Sequence, residues 1–449
     1  MIHRRQFLKT AAATAAAGLT IVPRHVLGQG VTPPSEKLNI AGIGVGGQGA
    51  VDLKDMATEN IVAMADVDHR KAAGTFKSYP KAQLFKDYRV MLDKLGKGLD
   101  AVVIATPDHM HAPIAMAAMR AGKHVYCEKP MAHSIEEARA MTRFAHEKGL
   151  VTQMGQGGHA SEGTRLTKEW LLAGAIGHVK EIHAWTDRPG TPKRKWWPQP
   201  ANVPDAPEPV PPDLDWDLWL GAAKERPYHA AYHPFVWRGF FDFGTGALGD
   251  MAVHNLDPAF FALDLAAPTA VSAETSPLGK ESYPAWQIIT YDYAATGDRP
   301  PLKIVWHDGG KMPDPPQDGE GTFNLPDNGI LFVGEKGTML GSRGAGGGLP
   351  AGPRLFPASL RKSFTPPPKT IPRSIGHRQE WIKACKDNRP ADAKAGFDYS
   401  GPFVEALLVG NLATRLQKRI EWDGVNMRAT NAPEAEPLIR KMYRKGFEI

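Results

Sequence analysis

The chain has 449 residues, 42% of them hydrophobic and 23% charged, with a formal net charge of +6. That length and composition support two sizeable folded domains and exclude a disordered or fibrous chain. Two cysteines, Cys127 and Cys385, exclude a disulfide scaffold and give no metal-ligand spacing, so no metal is expected.

The chain opens with Arg4 and Arg5, then Phe7, Leu8 and Lys9, then an alanine-rich apolar run over 10–22. This reads as a twin-arginine export signal over 1–28, cleaved after Gly28 and directing the protein to the periplasm or beyond. The run is too short to span a membrane, and no later run is long and apolar enough. Arg4, Arg5, Lys9 and Arg24 carry four of the six formal charges, leaving the rest of the chain at about +2. The basic balance is therefore no argument for nucleic acid, and no such partner is expected.

Residues 37–56 organise the chain. Leu38, Ile40 and Ile43 form an apolar run, and Gly42, Gly44 and Gly47 then fit G-x-G-x-x-G ahead of a helical pattern with Val51, Leu53 and Met56. Strand, tight turn and helix are the context that makes this motif a dinucleotide fingerprint. Gly42 allows the turn, Gly44 admits the pyrophosphate and Gly47 lets helix and strand pack closely. The next strand, 61–68, ends in acid, and Asp66 lies near the spacing of a ribose-binding carboxylate.

Strands and helices then alternate: helices over 69–78 and 88–95, a buried strand over 99–105, a helix over 114–121, a strand over 123–127, a helix from the Ser134 cap to about 148, and a strand over 151–154. Glu137 makes a capping box with Ser134. The pattern is βαβ throughout, which favours a doubly wound parallel sheet over 36–157. Ligands bind beyond the carboxyl ends of such strands. Thr106, Pro107, Asp108, His109 and His111 are placed there, as are Glu128, Lys129 and Pro130. From position alone Lys129 has two readings: it hydrogen-bonds a hydroxyl being oxidised, or it pairs with Glu128 at the surface.

The stretches 41–49 (AGIGVGGQG), 65–68 (ADVD), 105–113 (ATPDHMHAP), 124–130 (HVYCEKP) and 246–257 (GALGDMAVHNLD) resemble, in this order, the Gfo/Idh/MocA family of NAD(P)-dependent oxidoreductases. The resemblance implies a Rossmann domain followed by an α/β domain with an open, mostly antiparallel sheet. It implies NAD(P), a sugar or cyclic polyol substrate, and a homo-oligomer, dimer or tetramer; Asp66 favours NAD, with NADP as an alternative. Carried onto this chain, Lys129 contacts the reacting hydroxyl, His254 accepts its proton, and Asp250 holds substrate or tunes its partners. The expected cofactor set is Gly42, Gly44, Val45, Gly46, Gly47, Asp66, Thr106, Pro107, His109, His111, Glu128, Lys129 and Gln156. The expected substrate set is His159, His233, Arg238, Asp250 and His254. Some relatives are glycosidases that oxidise, eliminate, hydrate and reduce, but that group departs from EKP at the lysine.

The second domain is read over 158–425, with a tail over 426–449. A helix is expected at Glu162–Leu172 and a strand over 176–187. Residues 189–212 are proline-rich and longer than a connector needs, and read either as a loop over the substrate cleft and cofactor clamp or as a structural wrap. Trp196 and Trp197 offer a stacking platform for a sugar or bury against a neighbour. Tyr228, His229, Tyr232, His233, Trp237 and Arg238 mix aromatics with polar groups, as a carbohydrate site does. Asp250, His254 and Asp257 are read on one helix, the first two at i and i+4 and so on one face. Strands are expected over 269–274, 285–293 and 301–307, then a glycine- and proline-rich excursion over 308–328. A hairpin over 329–340, a low-complexity run over 341–350, helices over 375–387 and 402–417, an edge strand over 419–422 and a short helix within 433–444 complete the chain.

These readings lead to an exported dehydrogenase that moves hydride from a secondary carbon of a sugar or polyol to NAD(P). The alternative is redox-neutral chemistry on a cofactor that never leaves, as a glycosidase or a two-sugar oxidoreductase. A non-catalytic sugar-binding protein with a vestigial dinucleotide domain is the third.

Overall fold

The computed structural model describes residues 36–319, 321, 323–342 and 352–449. The leader read at 1–28 and most of the low-complexity run at 341–350 lie outside the described residues.

Six strands, β1 (Asn39–Ile43), β2 (Asn60–Ala65), β3 (Gln83–Phe85), β4 (Ala101–Ile104), β5 (His124–Glu128) and β6 (Thr152–Gly155), form an all-parallel sheet in the order β3-β2-β1-β4-β5-β6. All four residues of β4 are buried, because helices cover both faces. Val102 and Ile104 pack on the side of the helices His111–Arg120 and Ile135–Lys148, while Ala101 and Val103 face Leu53 and Trp381 on the other. That split is the period of two expected of a strand. The Ser134–Glu137 capping box is formed, with Glu137 N–H donating to Ser134 Oγ at 3.3 Å.

A second sheet carries nine strands: β7 (Val179–Trp185), β8 (Ala270–Thr275), β9 (Gln287–Tyr293), β10 (Leu302–His307), β11 (Gly329–Gly334), β12 (Thr338–Leu340), β13 (Arg354–Phe356), β14 (Ile420–Asp423) and β15 (Arg428–Ala429). Their order is β13-β12-β11-β7-β10-β9-β8-β14-β15, with β7 and β10 parallel and the other pairs antiparallel. The short β3, β13 and β15 carry too little alternation to be read locally. β15 also ties the tail to this sheet.

Three local readings change. The helix expected from Pro402 begins at Phe397 and runs to Leu416 with the proline inside. Its first turn is anchored by Phe397 N–H on Thr152 Oγ1 at 3.0 Å and by burial of Phe397, so packing overrides the breaker. The helix His377–Asp387 returns to the first domain, where Trp381 meets Tyr126 edge-on at 5.6 Å. Asp250, His254 and Asp257 do not share one α-helix. Leu248–Ala252 forms a wider π turn, Val253–Asn255 follows, and Asp257 opens a separate helix, Asp257–Leu263.

Candidate functional site

At the carboxyl ends of β1, β2, β4 and β5 lies a crevice of about 440 Å³, where the strand order reverses between β1 and β4. The tight turn assigned to Gly42 falls at Gly44, which has φ +78° and where a Cβ would meet Ala105 carbonyl atoms at 2.8 Å; Gly42 lies inside β1, where a Cβ would meet the Leu53 and Val45 side chains at 2.8 Å. The close helix–strand approach assigned to Gly47 belongs to Gly49 instead. A Cβ at Gly49 would stand 2.3 Å from Gly44 O, whereas one at Gly47 would meet nothing within 4 Å. Gly47 precedes the helix Gln48–Asp55 and provides no side-chain cap; Ala50 N–H returns to Gly47 O at 3.1 Å, and the Gln48 and Gly49 N–H groups are left for a phosphate. These features fit a dinucleotide.

Asp66 lines the crevice and accepts Gly46 N–H at 3.0 Å and Asp68 N–H at 2.9 Å. Burial pushes its carboxyl up to about 6 against the opposing backbone donors of Asp68, Val45 and Gly46. Val45 contributes only backbone, since its side chain is core. Thr106, Pro107, Glu128 and Lys129 also line the crevice. Burial raises the Glu128 carboxyl well above the usual carboxylate range.

A second chamber of about 820 Å³ adjoins the crevice, and Lys129, Phe235, Arg238 and Asp250 line both. Lys129 does not pair with the Glu128 carboxylate through its ammonium. Its Nζ donates to Asp250 Oδ1 at 2.8 Å and Asp250 O at 3.0 Å. Burial alone would raise the Asp250 carboxyl, but Lys129 and Arg238 overcome it and hold it well below the usual range. Half-buried His254 lines the same chamber.

Several expected site residues turn elsewhere. His109 is buried with Nε2 on Trp219 O at 3.1 Å, and burial lowers its ring to about 3. His111 bridges Thr106 O at 2.8 Å and Pro130 O at 2.7 Å, so it ties together the two loops that line the crevice. Gln156 spends its amide on Val253 O and His159 N–H, at 3.0 and 2.9 Å. His159 is buried against Asp257 at 2.9 Å, and Asp257 also accepts Tyr399 Oη at 2.8 Å, so neither faces the chamber. His233 meets Asp68 Oδ2 at 2.9 Å and lines the crevice rather than the second chamber.

That His233 contact belongs to a strap over 213–238, which local reading did not find. Asp68 and Leu214 form a bridge, Asp215 N–H donates to Val67 O at 2.9 Å, and His69 N–H donates to Asp213 O at 3.2 Å. Leu218, Trp219, Pro234 and Phe235 thereby line the crevice from the second domain. Stacked Trp216 and Trp219, with centroids 4.7 Å apart, stiffen the strap. Residues 189–212, read as a cofactor clamp, do not line the crevice: Arg194, Trp196 and Trp197 line the second chamber, and Gln199 Nε2 bonds Pro284 O at 2.8 Å. Arg188, Lys71 and Lys86 were also missed, since lone cations in unpatterned stretches give no local signal.

Among the described residues no group of His, Cys, Asp and Glu could hold a metal, and no helix is long and apolar enough to cross a membrane. Residues 1–20 match the profile of the twin-arginine translocation pathway signal sequence, which marks the chain for export. Residues 38–156 match the oxidoreductase family, NAD-binding Rossmann fold, and residues 187–305 match the oxidoreductase family, C-terminal alpha/beta domain. The chain is similar to the levoglucosan dehydrogenase of Pseudarthrobacter phenanthrenivorans, at 29% identity over 44% of this chain and 40% of that one. It is similar to the inositol 2-dehydrogenase of Rubrobacter xylanophilus, at 30% identity over 34% of this chain and 44% of that one. The matched stretches thus span less than half the length of these curated relatives. The fold is that of the aldose-aldose oxidoreductase from Caulobacter crescentus complexed with glycerol, with TM-score 0.55, 16% identity and coverage of 86% of this chain and 100% of that one. The ordered pair of matched domains, together spanning more than half of the residues behind an export signal, makes this chain a member of the Gfo/Idh/MocA oxidoreductase family.

Proposed function

We propose that the protein is a dehydrogenase that takes hydride from a secondary hydroxyl-bearing carbon of a sugar, glycoside or cyclic polyol. The observation that carries this reading is Lys129, held by Asp250 where the crevice and the chamber meet. A nicotinamide dinucleotide supplies the hydride acceptor when bound. The glycine loop and the first turn of Gln48–Asp55 hold its phosphates, and Asp66 its ribose. The Lys129 ammonium favours the oxyanion that develops on the substrate, and His254 takes the hydroxyl proton. Asp250 keeps the ammonium in place. The names of the two relatives, dehydrogenases of levoglucosan and of inositol, point the same way. A homo-oligomer, dimer or tetramer, is proposed with this reading, on the outer sheet face where Ile288 and Thr290 are half-buried.

The strap favours a second reading, in which the cofactor stays bound and is reset within the cycle. A two-sugar oxidoreductase and an oxidising–reducing glycosidase are its two forms. Net build-up of reduced dinucleotide with one sugar favours the first reading. Turnover without build-up favours the second.

NAD is preferred over NADP, because Asp66 accepts ribose hydroxyls and repels a 2′-phosphate. Those hydroxyls donate to the ionised carboxylate, so binding draws Asp66 to its charged form. NAD affinity is therefore expected to be full above about pH 6 and to weaken as pH falls below it. Asp66→Asn is expected to weaken binding and to flatten this dependence. Titration of both cofactors at pH 5 and pH 8 checks both statements. Tighter NADP binding, or an unchanged pH dependence in the variant, would contradict them.

A further inference from the structure

The substrate chamber offers guanidinium groups where a sugar site was expected to offer indole. Arg188 and Arg194 lie over the Trp196 ring with Cζ at 3.3 and 3.6 Å from its centroid. Two guanidinium carbons at van der Waals distance from one ring centre overlap each other if they share a face, so they take opposite faces. Trp196 Nε1 is spent on Asp187 Oδ2 at 2.9 Å. Trp197 is 4% exposed and donates to Gln199 Oε1 at 2.9 Å. Neither indole face is free to stack on a sugar.

The charges around the chamber are unequal. Lys129, Arg188, Arg194 and Arg238 line it, against Asp187, Asp250 and Asp327, with His254 beside them. Asp250 is shared by Lys129 at 2.8 Å and Arg238 at 3.5 Å. Asp187 is taken by Arg188, by Trp196 and by Asn328 Nδ2 at 3.1 Å. Both acids thus act as internal counter-ions. At the mouth, exposed Arg194 has no carboxylate within ion-pair reach among the described residues, and exposed Asp327 is the one opposing rim charge among them.

A neutral sugar needs hydrogen-bond partners but no excess cation. A planar guanidinium matches an oxyanion with paired N–H donors, and stacking on an indole holds its plane fixed. We infer that the substrate is an acidic sugar, whose oxyanion is gripped by Arg194 with Arg188 at the chamber mouth while its hydroxyl-bearing ring carbons face Lys129 and His254. This inference rests on the dehydrogenase reading and narrows its substrate class. The oxyanion is a carboxylate, as in a uronic or aldonic acid, or a phosphate ester.

The test is calorimetric titration of NAD-loaded protein with D-glucuronate, D-glucose 6-phosphate and D-glucose. At least one acidic sugar is expected to bind about 10-fold or more tightly than glucose, and added salt is expected to shrink that ratio. Which acidic sugar binds separates carboxylate from phosphate. Arg194→Ala is expected to bring the ratio toward one without lowering the melting temperature, since Arg194 is exposed. Asp327→Asn is expected to raise it. Glucose binding as tightly as both acidic sugars, no binding of either acidic sugar, or a ratio unmoved by Arg194→Ala would overturn the inference. Absorbance of reduced nicotinamide in the same samples judges the dehydrogenase reading separately, because binding preference is read whether or not hydride moves.

Discussion

Lys129→Ala and His254→Ala are each expected to lower turnover by about 10²-fold or more, the scale of losing an acid–base group. Alcohol oxidation needs the hydroxyl proton to leave as hydride departs. On the proposed roles, the Lys129 ammonium favours the oxyanion and the His254 imidazole takes the proton. Lys129 is fixed for its part by two bonds to one residue, Asp250, through carboxylate and carbonyl. Removing its side chain leaves Asp250 with Arg238, at the longer distance of 3.5 Å. NAD affinity is expected to change much less, because the glycine loop and Asp66 are untouched. Steady-state kinetics and NAD titration on folded variants check this. Near-normal turnover in both variants would defeat the catalytic assignment even with NAD binding intact.

The strap yields the second large effect. The wild-type protein is expected to keep its dinucleotide through purification, and His233→Ala is expected to speed release by about 10- to 100-fold. His233 is the side-chain pin between the strap and the helix cap Asp68, which is 1% exposed. Deleting it leaves a buried carboxylate short of a partner, at a cost of about 1–3 kcal/mol. The backbone bonds to Val67 and His69 remain, so the strap loosens rather than detaches. Release of reduced dinucleotide followed by its fluorescence measures the rate. Equal rates in the two proteins would show that the strap does not retain the cofactor. Retention also suits the export signal, since bound dinucleotide stabilises the folded state by mass action.

The parts legible in the sequence are those set by local chemistry. The glycine turn, the Asp66 spacing and the Ser134–Glu137 box depend on neighbours within one βαβ unit. The EKP lysine was legible through its place at a strand end, though its partner Asp250 is 121 residues away. What escaped depends on side-chain direction or on distant packing. His109, His111 and Gln156 stand at the ends of the right strands, yet each turns polar atoms onto the backbone: the histidines onto carbonyls, Gln156 onto the Val253 carbonyl and the His159 N–H. Asp257 fits an i+3 spacing from His254 only if one regular helix runs through, and the break at Leu256, between Val253–Asn255 and Asp257–Leu263, interrupts that register. The strap pairs residues 67–69 with 213–215, and no periodicity reports a pairing that remote. Gly49 replaced Gly47 at the helix–strand contact because the helix begins only at Gln48.

The most direct test of the central claim tracks one hydrogen atom. The protein is incubated with NAD and with sugars, acidic and neutral, that bind it and carry deuterium on their secondary hydroxyl-bearing carbons. The dinucleotide is then released by denaturation and weighed by mass spectrometry. The account predicts deuterium on the nicotinamide ring, either accumulating or transient in rapidly quenched samples, and its loss in Lys129→Ala. A sugar that binds in the chamber and never delivers deuterium to the dinucleotide at any quench time would contradict it.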